Sequence, residues 1–216
     1  MLLTGFQGYG GRAVNPAEAV VKALDGEAIA GRRVMGRTLP VSYAELGPQI
    51  ARLIAETAPR AVICLGLWPG EPMLRLERIA VNIADFEIAD NTGAIEHGAI
   101  VADGPAAYEA TLPIHAIQNR LLEAGIPARL SGSAGNFLCN GLMYHALRTC
   151  AARNPVPACG FIHLPYLPGQ VSDIVRDTRD AARFELHQRG DLPSMALETM
   201  VEAIRLAIGT TIETCA

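Results

Sequence analysis

The sequence predicts an α/β fold, a three-layer sandwich with a mainly parallel central sheet flanked by helices. Three observations point to it. Short apolar runs alternate with helical periodicity along the chain, the pattern of strand–helix crossovers. The run Ala61-Val62-Ile63-Cys64-Leu65-Gly66 is apolar throughout, as expected for a parallel strand buried on both faces. The composition is half hydrophobic and 19% charged over 216 residues, enough for one substantial core and unlike a disordered chain. With aromatics at 5%, that core must be aliphatic and alanine-rich. The length corresponds to one domain over 1–216.

Taken in order, residues 1–4 read as a strand running into a glycine-rich loop, Gly5 to Gly11. Asn15-Pro16-Ala17-Glu18 places an N-cap, a first-position Pro and a Glu as a capping box does, opening a helix that stops near Gly26. A strand follows at about 33–41, and Ser42-Tyr43-Ala44-Glu45 is a second capping box starting a helix to Ala58, with Gly47-Pro48 weakening its first turns. After strand 61–66, Leu74 to Ala84 is β-prone, and 85–112 reads as loop with a turn at Asp90-Asn91-Thr92-Gly93. A helix at 113–124 is closed by Gly125, and a short strand at 128–132 leads to a helix at 138–150. A strand at 158–163 and a C-terminal helix at 194–208 complete the reading, with 165–192 as loop or lid.

Several functions are excluded or weakened. A formal net charge of −4 lacks the basic footprint of a nucleic-acid binder. Lys and Arg total 18, yet Lys22 is the one lysine, which removes a Walker A loop and makes Schiff-base chemistry improbable. The Gly5–Gly11 loop fails the dinucleotide spacing at Ala13; its plainer meaning is a turn that lets another backbone approach closely. The five histidines, His97, His115, His145, His163 and His187, show no metal-ligand spacing, and no G-x-S-x-G elbow is present. Nothing approaches a signal peptide or the roughly 20 apolar residues of a membrane span. Five cysteines without a C-x-x-C pair indicate a reduced, cytoplasmic protein without structural zinc or a disulfide framework.

Three residues remain as candidates for chemistry. Cys64 lies within an apolar strand and reads as core, but Cys139 follows a small-residue run, Ser131 to Gly135, where a helix begins. Helix-start amides favour a thiolate and small neighbours leave room for substrate; packing beneath the helix is the competing reading. His163 ends an apolar strand with a Pro-rich exit, on the side where α/β active sites form. His145 competes, although six residues along a helix from Cys139 it lies about 120° round the axis. Strand parity puts Glu77 on an apolar face with Ile79, Val81 and Ile83, costly unless an imidazole or Arg pairs with it. A sheet-edge Glu bridged to Arg75 or Arg78 explains the same pattern.

These segments resemble the pyroglutamyl peptidase I family (pyrrolidone-carboxylate peptidases, peptidase family C15) from Leu3 to about Gln170. The resemblance rests on Thr4-Gly5-Phe6 through Gly11, Val14-Asn15-Pro16, Glu77 to Asn82, Asp90-Asn91-x-Gly93, Gly104 to Tyr108 and Thr111 to Ile114. It continues in Ala134-Gly135-x-Phe137-x-Cys139-Asn140 and in Gly160-Phe161-Ile162-His163-x-Pro165-Tyr166-x-Pro168. It implies a Cys139-His163-Glu77 triad that removes an N-terminal pyroglutamyl residue from a peptide or small amide, no cofactor, and a homotetramer. It places Phe6, Tyr9, Phe137 and Leu138 around an apolar pocket, with Asn15 bracing the N-terminal loop. The chain departs from the family pattern at Gln7-Gly8-Tyr9, where an acidic residue and Pro-Phe are usual. Gly66-Leu67-Trp68-Pro69-Gly70 stands in place of Gly-Gln-Ala-Gly-Gly, so Leu67 replaces a lactam-recognising Gln, and Glu87 falls where the family carries Arg. A carboxylate facing Cys139 from position 87 would raise the thiol pKa. A relative with another N-acyl or lactam substrate, or a binding protein without turnover, therefore stands beside the peptidase reading.

Overall fold

The computed structural model describes residues 1–180 and 192–215. Strand β1 (Leu2–Phe6) leads through the glycine loop to helix α1 (Pro16–Leu24). Asn15 caps α1, its side chain accepting from Ala17 N, and Pro16 takes the first turn. A small antiparallel pair, β2 (Ala28–Ile29) and β3 (Arg32–Arg33), precedes β4 (Met35–Leu39) and α2 (Tyr43–Thr57). Ser42 makes no side-chain cap bond; Asp90 supplies it, its Oδ2 accepting from Tyr43 N at 2.8 Å. A carboxylate at a helix start is doubly favourable, through the hydrogen bond and the dipole.

Strand β5 (Ala61–Leu67) is buried at every position. The β-prone stretch that follows is not one strand: it breaks at exposed Arg78 into β6 (Leu74–Glu77) and β7 (Ile79–Val81). The predicted shared face of Glu77 with Ile79, Val81 and Ile83 is thereby corrected. Strand β7 pairs with β10 (Ala107–Glu109) outside the main sheet, and β8 (Ala84–Asp85) pairs with β9 (His97–Gly98) inside what read as loop. Then come α3 (Ile114–Glu123), β11 (Ala128–Ser131), α4 (Leu138–Ala151) and β12 (Ala158–Leu164). Helix α5 (Pro168–Asp180) occupies the first part of the stretch read as loop or lid; residues 181–191, with His187, lie outside the described residues. Helix α6 (Leu197–Thr214) runs six residues beyond the expected end at 208, keeping Ala207, Ile208 and Thr211 buried.

The central sheet has the order β11-β6-β12-β5-β1-β4. All neighbours are parallel except β6 and β12, so the sheet is mainly parallel as expected. One core layer joins it to α1, α3 and α6, the other to α2 and α4. Gly5 is needed within β1: a Cβ there would lie 2.6 Å from the Ala17 carbonyl oxygen, so only glycine lets α1 pack this closely.

Candidate active site

The carboxyl ends of β1, β5 and β12 meet the start of α4, and the cavity there has a volume of about 530 Å³. Cys139, His163 and all six residues expected at the pocket, Phe6, Tyr9, Asn15, Leu67, Phe137 and Leu138, line it. Trp68, Pro69, Asp85 and Glu87 line it too. Asn15 caps α1 and donates from Nδ2 to Gln7 O at 3.0 Å, tying the glycine loop to the helix start. Phe137 stacks with Phe86 and Tyr9, which gives the cavity an aromatic side. Burial pushes the Tyr9 phenol pKa up, so it remains a neutral donor.

The sheet register explains how distant residues converge. His163 on β12 is opposite Gly66 on β5 and Arg75 on β6, while Phe161 is opposite Glu77. Opposed residues and those two apart share a face, so His163, Arg75 and Glu77 project together. Gly66 has no side chain, and Cys139 occupies the space this leaves: a Cβ at Gly66 would stand 2.7 Å from Cys139 Sγ. The thiol thus sits beside the strand position that faces His163. His145 is elsewhere, its ring packed on Gly47 of α2.

Glu77 and His163 are fully buried, and Glu77 Oε1 lies 2.8 Å from His163 Nδ1. The sheet-edge reading of Glu77 is corrected, because β6 lies inside the sheet between β11 and β12. An imidazole and an arginine both pair with it: Arg75 Nε donates to the same Oε1 at 3.0 Å, whereas Arg78 is exposed. Burial lowers the His163 pKa, with Glu77 opposing that shift. Cys139 is the second residue of α4 and half-buried. Its thiol is pushed up to about 12, first by burial and then by the Glu77 charge, so the expected helix-start lowering does not prevail. The carboxylate raising it is Glu77 rather than Glu87, which sits exposed at the cavity rim. Both shifts favour the neutral thiol and the neutral imidazole.

Residues outside the sequence-level site hold this arrangement. Fully buried Asn140, next to Cys139, accepts from Val81 N and donates to Val81 O and Ile83 O, each at 2.9 Å. Trp68 lies edge-on to His163 at 5.0 Å and carries the Arg75 guanidinium over its ring at 3.6 Å. Arg75 was visible only as a possible Glu77 partner; Trp68 was visible only as a departure from a family pattern. Among the described residues no three His, Cys, Asp or Glu side chains group to hold a metal ion. Nor is any described helix long and apolar enough to cross a membrane.

The family model for pyroglutamyl peptidase matches residues 1–214. The chain is 40% identical over 215 residues to the pyrrolidone-carboxylate peptidase of Pyrococcus furiosus, covering 99% of this chain and 98% of that protein. It is 40% identical over 217 residues to the one from Cupriavidus taiwanensis, covering 99% and 93%. Its structure superimposes on the solved pyrrolidone carboxyl peptidase of Pyrococcus furiosus with a TM-score of 0.91 at 40% identity, covering 100% of this chain and 99% of that one. A match of this length and identity, on a fold with the same α/β architecture, means that the chain belongs to the pyroglutamyl peptidase family of cysteine peptidases.

Proposed function

We propose that the protein removes an N-terminal pyroglutamyl (5-oxoproline) residue from peptides or small amides, with Cys139, His163 and Glu77 as its triad. The observation that carries this reading is the shared cavity of Cys139 and His163, backed by the 2.8 Å contact from His163 Nδ1 to Glu77 Oε1. The other ring nitrogen, Nε2, is then the one left to act as base. It takes the Cys139 proton as sulfur attacks the acyl carbonyl, while Glu77 stabilises the imidazolium that forms. The tetrahedral oxyanion lies near the first-turn amides of α4, where the Phe137 cap offers no side-chain acceptor to compete for them. His163 then protonates the leaving amine, and water hydrolyses the thioester with the same base. Phe6, Tyr9, Asn15, Leu67, Phe137 and Leu138 surround the acyl group.

The chain acts as a single α/β domain in the cytoplasm, with no cofactor, no nucleic-acid partner and no membrane association. Its five free cysteines support a reducing compartment, and the family resemblance supports a homotetramer. A second reading, hydrolysis of a different N-acyl or lactam group, is favoured by Leu67, which offers no hydrogen bond inside the cavity. Release of a fluorescent amine from a pyroglutamyl-amide reporter, compared with Cys139→Ala, tests the assignment. Turnover lost on substitution supports it. A folded native protein inactive on this reporter but active on another N-acyl amide establishes the second reading, and one inactive on the whole panel is a binding protein.

A further inference from the structure

Arg75 is 7% exposed and has an unusually complete set of partners for a residue outside the cavity lining. Its Nε donates to Glu77 Oε1 at 3.0 Å, and its NH2 group donates to Ser131 Oγ at 2.7 Å and Ser133 O at 2.8 Å. Glu71 lies 3.6 Å from its other terminal nitrogen and is itself clamped by Arg129, with contacts of 2.7 and 3.0 Å. The guanidinium face rests on Trp68, whose edge meets His163. Planar stacking and fork-like donation together fix an arginine far more tightly than either does alone.

Glu77 Oε1 accepts from both Arg75 and His163, while the buried Oε2 has no hydrogen-bond partner. The carboxylate could rotate to relieve that asymmetry, and the contact at Oε1 with Arg75 opposes such a rotation. We propose that Arg75, stacked on Trp68 and anchored by Ser131 and Ser133, is a positioning residue that holds Glu77 Oε1 against His163 Nδ1 and offsets the charge of Glu77. The inference rests on the triad reading above and adds to it how the acid is aligned.

The charge of Arg75 also opposes protonation of His163, alongside burial, whereas Glu77 and Glu71 favour it. The other titratable groups lining the same cavity are Cys139 from α4, Tyr9 from the loop after β1, Asp85 at the end of β8 and Glu87 at the rim. None of these is altered by substitution at position 75. Removing the cation therefore raises the affinity of His163 for its proton, and the base is lost at a higher pH.

The test compares the native enzyme with Arg75→Gln and Arg75→Lys on the pyroglutamyl-amide reporter, with Cys139→Ala and Glu77→Gln in parallel. Active fractions are set by stoichiometric alkylation of Cys139. For Arg75→Gln the acid limb of kcat/KM is expected to move up by about two pH units, as removal of a nearby like charge predicts. Its kcat should fall roughly tenfold with KM nearly unchanged, since Arg75 does not line the cavity. Arg75→Lys restores the charge without the planar fork, so the limb returns while kcat recovers only in part. If Arg75→Gln fails to fold, the lysine variant carries the test: a reduced kcat with a native limb supports the proposal, and native kcat overturns it. A folded Arg75→Gln with native limb and kcat, beside an inactive Glu77→Gln, leaves the triad standing and refutes the role of Arg75. Turnover retained by Cys139→Ala overturns the triad reading, and the proposal falls with it.

Discussion

Replacing Glu77 with Gln removes one negative charge and almost no volume. The charge lies 2.8 Å from the imidazole nitrogen opposite the one that accepts the thiol proton. At an effective dielectric of about 20, an imidazolium and a carboxylate at that separation attract by about 6 kcal/mol. Arg75, bonded to the same oxygen, cancels roughly half of this, and about 3 kcal/mol remains for the transition state, equivalent to a factor of about 100 in rate. The amide adds a second defect. Its NH2 group can face Nδ1 and leave the proton on Nε2, the tautomer that cannot accept from sulfur. The expected result is a fall in kcat of about 100- to 1000-fold with KM little changed. Arg75 keeps Glu71, Ser131 and Ser133 as partners, so the variant should fold, which circular dichroism checks. The assay is reporter hydrolysis across pH with Cys139 titrated as the active fraction. A kcat within about threefold of native, in folded and fully titratable protein, refutes the electrostatic role given to Glu77.

Three further outcomes follow from the same geometry. Because the thiol is pushed up to about 12 and burial lowers His163, alkylation of Cys139 by iodoacetamide should accelerate into the alkaline range, while the acid limb of hydrolysis falls below the ordinary histidine value. The sign follows from the base working when neutral, so a lowered pKa preserves it to lower pH; a fast alkylation plateau in the acid range would instead reveal a preformed thiolate–imidazolium pair. Gly66→Ala brings a methyl group to 2.7 Å from Cys139 Sγ and 2.8 Å from Phe161 Cζ. It should cost about 1–3 kcal/mol in stability by overpacking, and much more in activity because the thiol must move; thermal melts and burst titration separate the two. Asn140→Ala leaves Val81 N–H and two carbonyls without their side-chain partner and should destabilise the protein by about 2–4 kcal/mol in denaturant unfolding. Native stability in that variant would show that Asn140 does not hold the first turn of α4.

What was legible in the sequence and what was not separates along physical lines. Apolar runs give β5 and β12, the second interrupted only by His163, because strands buried on both faces carry few polar residues. The N-cap half of the box at Asn15 holds because its bond to Ala17 N is local, whereas Glu18 pairs with Lys22. The box at Ser42 fails because Asp90, 47 residues from Tyr43, takes its place, and local spacing carries no record of such a partner. The β6–β7 stretch looked continuous because both halves are β-prone, and the break depends on which sheets they join. Glu77 shows the same division. Its burial cost and its strand neighbour Arg75 could be read from the pattern, but the partnership with His163 arises from β6 lying antiparallel beside β12. Cys139 could be placed at a helix start from its neighbours, whereas its thiol pKa depends on tertiary burial and on Glu77. The segment after Pro165 has the helical spacing Val171-Ile174-Val175 but so few apolar residues otherwise that α5 read as loop.

The departure at Leu67 and Trp68 lies next to the residues that support His163. Gly66, Leu67, Trp68, Glu71, Arg75 and Glu77 belong to a single stretch of chain that leaves β5, crosses behind the cavity and returns as β6. Glu71, Arg75, Glu77 and Arg129 form one connected set of two acids and two bases, so the charges behind His163 balance. Among the described rim residues the charges are not balanced in this way. Asp85 is paired with His97, but Glu87 is an exposed carboxylate on the lining. Inside, Phe6, Leu67 and Phe137 give an apolar wall. A neutral wall suits an uncharged acyl group such as a lactam, because no ion need be desolvated to enter. An acidic rim disfavours a leaving segment carrying a carboxylate close to the scissile bond and favours one carrying a cation.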